Sequence, residues 1–162
     1  MRGGGGTWRV PPGQRFIIRK GLGAPVGSVL VGTAKLIERA RRFKQQFGGG
    51  LRQAGIIAAG ALHALEHHRD RITEDHDNAR VLADGLAAMD GIELDPTSVE
   101  TNIVRFKVSS MTGGAFVDGC YARGVFMLPG GTHGVRAVTH MDVDRPQIDQ
   151  ALDVIRGVLQ EA

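Results

Sequence analysis

The stretch KGLGAPVGSVLVG, residues 20 to 32, constrains this chain more than any other. Gly21, Gly23 and Gly27 with Pro25 write a tight turn, and the turn runs directly into Val29, Leu30 and Val31, residues that favour a strand. That order disfavours the common phosphate loops. A dinucleotide fingerprint spaces its glycines G-x-G-x-x-G and opens a helix, whereas here the spacing is G-x-G-x-x-x-G and a strand follows. A P-loop carries its lysine after its glycines, and Lys20 precedes them.

A lysine at the end of a strand, beside flexible backbone, suits a different chemistry. Its ordinary pKa is about 10.4, so condensation with an aldehyde near neutrality needs the neutral amine favoured by desolvation or by a neighbouring cation. Arg19 is such a neighbour. The glycines let backbone approach a bulky group where a Cβ would collide. The bland alternative is a solvated lysine beside a turn, which is the commoner case.

The rest of the chain reads as one or two small domains. Residues 1 to 14, MRGGGGTWRVPPGQ, have no hydrophobic period and are expected to form a flexible arm. RFIIRK (15 to 20) and VGSVLVG (26 to 32) read as strands, the second apolar enough to be buried. Thr33 is positioned to cap a helix over 34 to 47, with Leu36, Ile37, Ala40 and Phe43 on one face, and the glycines at 48 to 50 end it. Residues 51 to 68 are apolar nearly all round, which predicts a buried helix. An amphipathic helix follows over 72 to 90. Strands are expected at 92 to 94, 103 to 108, 125 to 128 and 135 to 139, with helices at 113 to 123 and 146 to 160. Strands and helices mix without strict βαβ alternation, so residues 69 to 162 read as a small α+β domain with a mostly antiparallel sheet.

Composition narrows the setting. With 162 residues, 42% of them hydrophobic, the chain can bury a core. Cys120 is the single cysteine, which excludes an intramolecular disulfide and a cysteine-based zinc site and fits a reducing, cytoplasmic location. No apolar run reaches the roughly 20 residues of a membrane span. Residues 1 to 52 hold eleven Lys and Arg against the single acid Glu38, so an anionic partner or a solvated basic face is expected there. Nucleic acid is the least favoured partner, because aromatic residues do not interleave with the cations.

Three further features invite chemistry. HALEH, residues 63 to 67, has the H-x-x-E-H spacing of inverted zinc peptidases, yet no third acidic ligand stands out, so no metal site is expected. In FGGGLRQAG, residues 47 to 55, Gly48, Gly49 and Gly50 precede a helix whose first turn would hold Arg52, against the helix dipole, which calls for a compensating anion. Arg136, in GVRAVTH, opens an apolar strand and is suited to bidentate capture of a carboxylate.

In order, KGLGAPVGSVLVG, GGGLRQAG, EDHDNA, TNIV and VRAVTHMDV resemble the second half of the low-specificity L-threonine aldolase and aromatic amino acid β-eliminating lyase family. The resemblance implies pyridoxal 5′-phosphate (PLP) as cofactor and an α/β to α+β architecture. That architecture is the C-terminal portion of a fold-type I PLP-dependent transferase. On this likeness residues 15 to 68 are a remnant of the cofactor-binding large domain and 69 to 162 the small domain. Lys20 would hold the cofactor aldehyde, Arg52 would line the cofactor and substrate pocket on the loop Gly48–Gly50, and Arg136 would anchor the α-carboxylate. A β-hydroxy-α-amino acid substrate, cleaved to glycine and an aldehyde, and a homo-oligomer are implied. Gln45 stands where the family often carries a basic residue. Upstream of Lys20 the family's phosphate cup, its pyridine-pairing aspartate and its stacking ring are not found, so the expectation is a truncated lyase of little activity alone. The alternative is a non-catalytic interaction module that self-associates through surfaces the large domain would cover.

Overall fold

The structure, a computed structural model, describes residues 14–17 and 20–161. The expected flexible arm over 1 to 14 lies, but for Gln14, outside the described residues, as do two residues of the strand expected at 15 to 20. The chain divides after His68 into two compact units.

The first unit opens with β1 (Gln14–Ile17) paired antiparallel to β2 (Ser28–Val31), Gln14 opposite Val31 and Ile17 opposite Ser28. Between them Lys20–Leu22 form a single 3-10 turn, with Gly23 and Gly27 at positive φ of 71° and 110°. α1 (Ala34–Gln46) starts where its cap predicts: the Thr33 hydroxyl accepts from the Leu36 amide at 3.3 Å. It stops in a Schellman motif, in which Gly48, at φ 76°, donates to the Gln45 carbonyl (3.3 Å) and Gly49 to the Lys44 carbonyl (2.7 Å). α2 (Gly55–His67) follows a turn.

Two expectations of burial fail in this unit. All four residues of β2 are exposed, and α2 buries only Ala61 and Ala64, with Ile56 86% and Leu62 56% exposed. Among the described residues β1 and β2 form a two-stranded sheet of their own. An all-round apolar sequence makes a helix buried only where something lies on every side of it.

The second unit places α3 (Ile72–Ala87), α4 (Gly113–Tyr121) and α5 (Arg145–Gln160) with a four-stranded antiparallel sheet of order β3-β4-β6-β5. Those strands are β3 (Ile92–Glu93), β4 (Ile103–Val108), β5 (Leu128–Pro129) and β6 (Gly134–Val138). Alternation decides the faces. Val104, Phe106, Val108, Val135 and Ala137 are buried in the core with Leu86, Phe116 and Ile155, while Arg105, Lys107 and Arg136 fall on the opposite face. Phe106 and Phe116 meet edge to face at 5.9 Å, and a fully buried side chain of this size contributes about 1.5–3 kcal/mol. Gly85 admits Leu152 so closely that an added Cβ would lie 2.6 Å from its Cδ1, which lets α3 and α5 pack tightly. α5 begins with a capping box between Asp144 and Gln147.

One strand differs from expectation. Of the run 125 to 128 only Leu128 joins the sheet, because the Val125 amide donates to the Cys120 carbonyl at 3.0 Å and closes α4 instead.

Candidate functional site

The lysine turn is seated on α2. Leu22 and Ala24 pack with Ala61 and Ala64, and Pro25 sits so near Gly60 that an added Cβ there would fall 2.9 Å from the proline ring. His68, just past the helix, bonds through Nδ1 to the Leu22 carbonyl at 2.8 Å. The small residues of α2 therefore serve close approach: larger side chains at 60, 61 and 64 would push off the turn whose first residue is Lys20.

The glycine loop folds back over the end of α1. A Cβ on Gly50 would come within 2.6 Å of Gln45 Oε1, and one on Gly49 within 3.1 Å of the Lys44 carbonyl oxygen. Arg52 follows, exposed, and forms no ion pair or side-chain hydrogen bond with any described residue. It does not stand in the first helical turn as expected. Residues 52 to 54 form a turn and α2 begins at Gly55, so Arg52 stands just ahead of the helix rather than within its first turn.

Arg136 belongs to the second unit, at the middle of β6. Its strand is aimed by the turn that precedes it. The Gly130 amide donates to the Gly134 carbonyl at 2.7 Å, and a Cβ on Gly134 would overlap the Gly130 carbonyl oxygen, so only glycine allows this crossing. The same carbonyl of Gly134 abuts Gly113 at the start of α4, where again a Cβ would overlap it. Arg136 lines a cavity of about 480 Å³ with Arg105, Lys107, Glu93, Asp95 and Leu128, and its Nε is buried without a hydrogen-bond partner. A buried, unpaired guanidinium nitrogen is costly unless something else completes it.

The other end of β6 is held by residues that sequence reasoning quoted only as motif letters. Thr139, 1% exposed, donates from Oγ1 to the Asp75 carbonyl at 2.6 Å, and its own carbonyl accepts from Asn102 Nδ2 at 2.7 Å. Asn78 donates to the Val143 carbonyl at 3.1 Å and accepts from Arg145 Nε at 3.0 Å. Arg71 Nη2 donates to Asp75 Oδ1 at 2.6 Å, while Asp75 Oδ2 is buried without a partner. EDHDNA, TN and THMDV thus meet around one strand end, and their shared task is to hold β6 in register. The signal available beforehand was their polarity beside apolar segments: short hydrogen-bonding side chains belong where backbone leaves its ladder.

HALEH assembles no metal centre. His67 Nδ1 is bonded to the His63 carbonyl at 2.9 Å, the two rings stack at 4.1 Å, and among the described residues no group of three or more His, Cys, Asp or Glu could hold an ion. A second cavity, of about 430 Å³, lies among Val125, Met127, Ala137, Val143 and Ile148, with Arg123 at its wall already engaged by Glu161. No helix among the described residues is long and apolar enough to cross a membrane.

Lys20, Gly48–Gly50 and Arg52 lie in the first unit and Arg136 in the second. Solved structures of the same architecture cover most of the chain. A putative L-allo-threonine aldolase from Listeria monocytogenes EGD-E matches with a TM-score of 0.69 at 17% identity, over 91% of this chain and 43% of that one. Serine palmitoyltransferase from Sphingomonas wittichii matches with a TM-score of 0.68 at 20% identity, over 91% and 39%. The fold is accordingly part of that of the fold-type I PLP-dependent transferases and aldolases.

Sequence comparison takes this further: residues 15–109 match the beta-eliminating lyase family, and the chain belongs to that family. The low-specificity L-threonine aldolase 1 of Arabidopsis thaliana is 35% identical over 145 residues, 88% of this chain and 40% of that protein. The low specificity L-threonine aldolase of Escherichia coli (strain K12) is 40% identical over 131 residues, 81% of this chain and 38% of that protein. The chain therefore spans about 40% of the length of the curated relatives it matches.

Proposed function

We propose that the chain is a PLP-dependent lyase of the threonine aldolase type, cleaving a β-hydroxy-α-amino acid to glycine and an aldehyde. The observation that carries this is the family match over residues 15–109, which contains the Lys20 turn, the glycine loop and Arg52. The donor set fits the assignment: a lysine on a turn seated by Leu22 and His68, an Arg52 without an ion pair among the described residues, just after a glycine loop folded against the end of α1, and Arg136 with a buried Nε awaiting an acceptor. When bound, the cofactor supplies an electron sink for the pair released as the Cα–Cβ bond breaks. Lys20 would hold it through Nζ. Arg52 would line the pocket, and Arg136, fixed by β6, would take the α-carboxylate and so orient the Cα–Cβ bond. Because the chain spans about 40% of its relatives' length, turnover by these residues alone is expected to be small.

Borohydride reduction of the protein incubated with PLP, followed by peptide mass spectrometry, tests the assignment. An adduct on Lys20 is expected, lost in Lys20→Ala. An adduct elsewhere, or none, rejects it. Glycine and acetaldehyde release from L-threonine measures how much activity the chain has.

A second role, self-association without catalysis, is favoured by the apolar surface of the first unit, where Phe47 is 83% and Ile56 86% exposed. Analytical ultracentrifugation decides it, and a monomer at all concentrations excludes it.

A further inference from the structure

Arg105 is the cation that the lyase chemistry leaves unused. In the antiparallel ladder of β4 and β6 it is the Cα partner of Arg136, so the two guanidinium groups leave the same face of the sheet side by side. Like charges directly opposite one another destabilise a sheet. Neither guanidinium is ion-paired to a described residue. Arg105 forms no ion pair, and both acids lining the same cavity are engaged, Glu93 by Lys107 at 3.3 Å and Asp95 by the Thr97 hydroxyl and amide at 2.7 and 2.9 Å. Those two bonds from Thr97, the hydroxyl's first, hold the Asp95 carboxyl below its ordinary pKa; it stays an anion, and its hydrogen bonds go to Thr97 rather than to either arginine. On its other flank Arg136 faces Leu128, an apolar neighbour. The guanidiniums differ in depth, with Arg136 Nε buried and Arg105 exposed at the rim. The cavity, about 480 Å³, is of small-ligand size.

We propose that Arg105 is a specificity-determining residue that receives a second carboxylate. The preferred substrates are then β-hydroxy-α-amino dicarboxylic acids of the 3-hydroxyaspartate class. This rests on the lyase assignment for the reaction and on the paired arginines for the substrate. The α-carboxylate occupies Arg136, and the substrate's side chain extends toward β4, the strand that offers the cation opposite it. Threonine, with a methyl group there, leaves Arg105 unmatched. For 3-hydroxyaspartate the Cα–Cβ bond breaks, the β-hydroxyl gives up its proton as its carbon becomes an aldehyde, and Cα gains a proton. The products are glyoxylate and glycine, with no oxidant or co-reactant required.

The test is binding of L-threo-3-hydroxyaspartate and of L-threonine to the protein without cofactor, followed by calorimetry and by the arginine Nε–H signals in NMR. Hydroxyaspartate should bind about tenfold more tightly, as a second charge-assisted contact provides. Arg105→Gln should bring the ratio to about one, Arg105→Lys should restore part of it, and Arg136→Gln should weaken both ligands. Equal affinities, undetectable hydroxyaspartate binding, or a preference that survives Arg105→Gln overturns the assignment. Since this ratio needs neither cofactor nor Lys20, its failure leaves an adduct on Lys20 standing, and a missing adduct rejects the lyase assignment whatever the ratio.

Discussion

Replacing Thr139 by valine isolates the hydrogen bond that ties the end of β6 to the first turn of α3. Valine keeps the branched shape, so the change removes one donor and leaves the Asp75 carbonyl, 2.6 Å away in a buried site, without it. The Asp75 carbonyl keeps its acceptor role inside α3, so the loss is that of one additional buried hydrogen bond, about 0.5–1.5 kcal/mol. For a unit of this size each kcal/mol lowers the melting temperature by roughly 4–8 °C, so a loss of about 1 kcal/mol means roughly 4–8 °C. Thermal and urea denaturation followed by circular dichroism measure it. Thr139→Ser keeps the hydroxyl and its bond to the Asp75 carbonyl and loses only a methyl group, so it should be the milder variant. Because Arg136 sits three residues upstream on the same strand, Thr139→Val should also weaken carboxylate binding. If valine is within about 0.5 kcal/mol of the parent, or serine is as harmful as valine, Thr139 does not lock β6 as described.

Other outcomes follow from the same geometry. Gly134→Ala forces a Cβ onto the Gly130 carbonyl and should cost at least about 1–3 kcal/mol by urea titration, with carboxylate affinity falling in parallel. Gly50→Ala should be milder, under about 1 kcal/mol, since the atom in its way is the movable end of the Gln45 side chain rather than backbone. Burial pushes the Cys120 thiol from 9.0 up to about 11, with Arg123 opposing weakly, so the native state favours the neutral thiol. Its contribution is whole below pH 9 and is lost as pH rises through about 11, where the unfolded chain ionises first. Urea midpoints should fall across that range, and Cys120→Ala should flatten the fall; an identical slope in the variant refutes this.

Much of the local structure was legible because it depends on neighbours in the chain. Thr33 with an amphipathic run, and glycine after Phe47, specify where α1 starts and stops through one hydroxyl and one left-handed residue. The alternation IVRFKV yielded β4 at 103 to 108 and separated Val104 and Phe106 from Arg105 and Lys107. The run at 125 to 128 looked equally strand-like, but the sheet takes up only Leu128, since the Val125 amide donates to the Cys120 carbonyl at the end of α4, a bond that no pattern records.

The amino-acid order by itself determined the elements, the alternation of faces and the residue types able to carry the chemistry: Lys20 on a turn, Arg52 after three glycines, Arg136 in an apolar strand. Only the tertiary structure decided which residues within each unit lie against one another. Arg105 reads as one solvated residue of an alternating strand until antiparallel register sets it opposite Arg136. The alanines of α2 read as core until Leu22 and Pro25 are seen to need their smallness. The physical reason is common to both cases: covalent spacing dictates periodicity and capping, whereas burial, register and charge pairing depend on surfaces brought together from segments far apart in the chain.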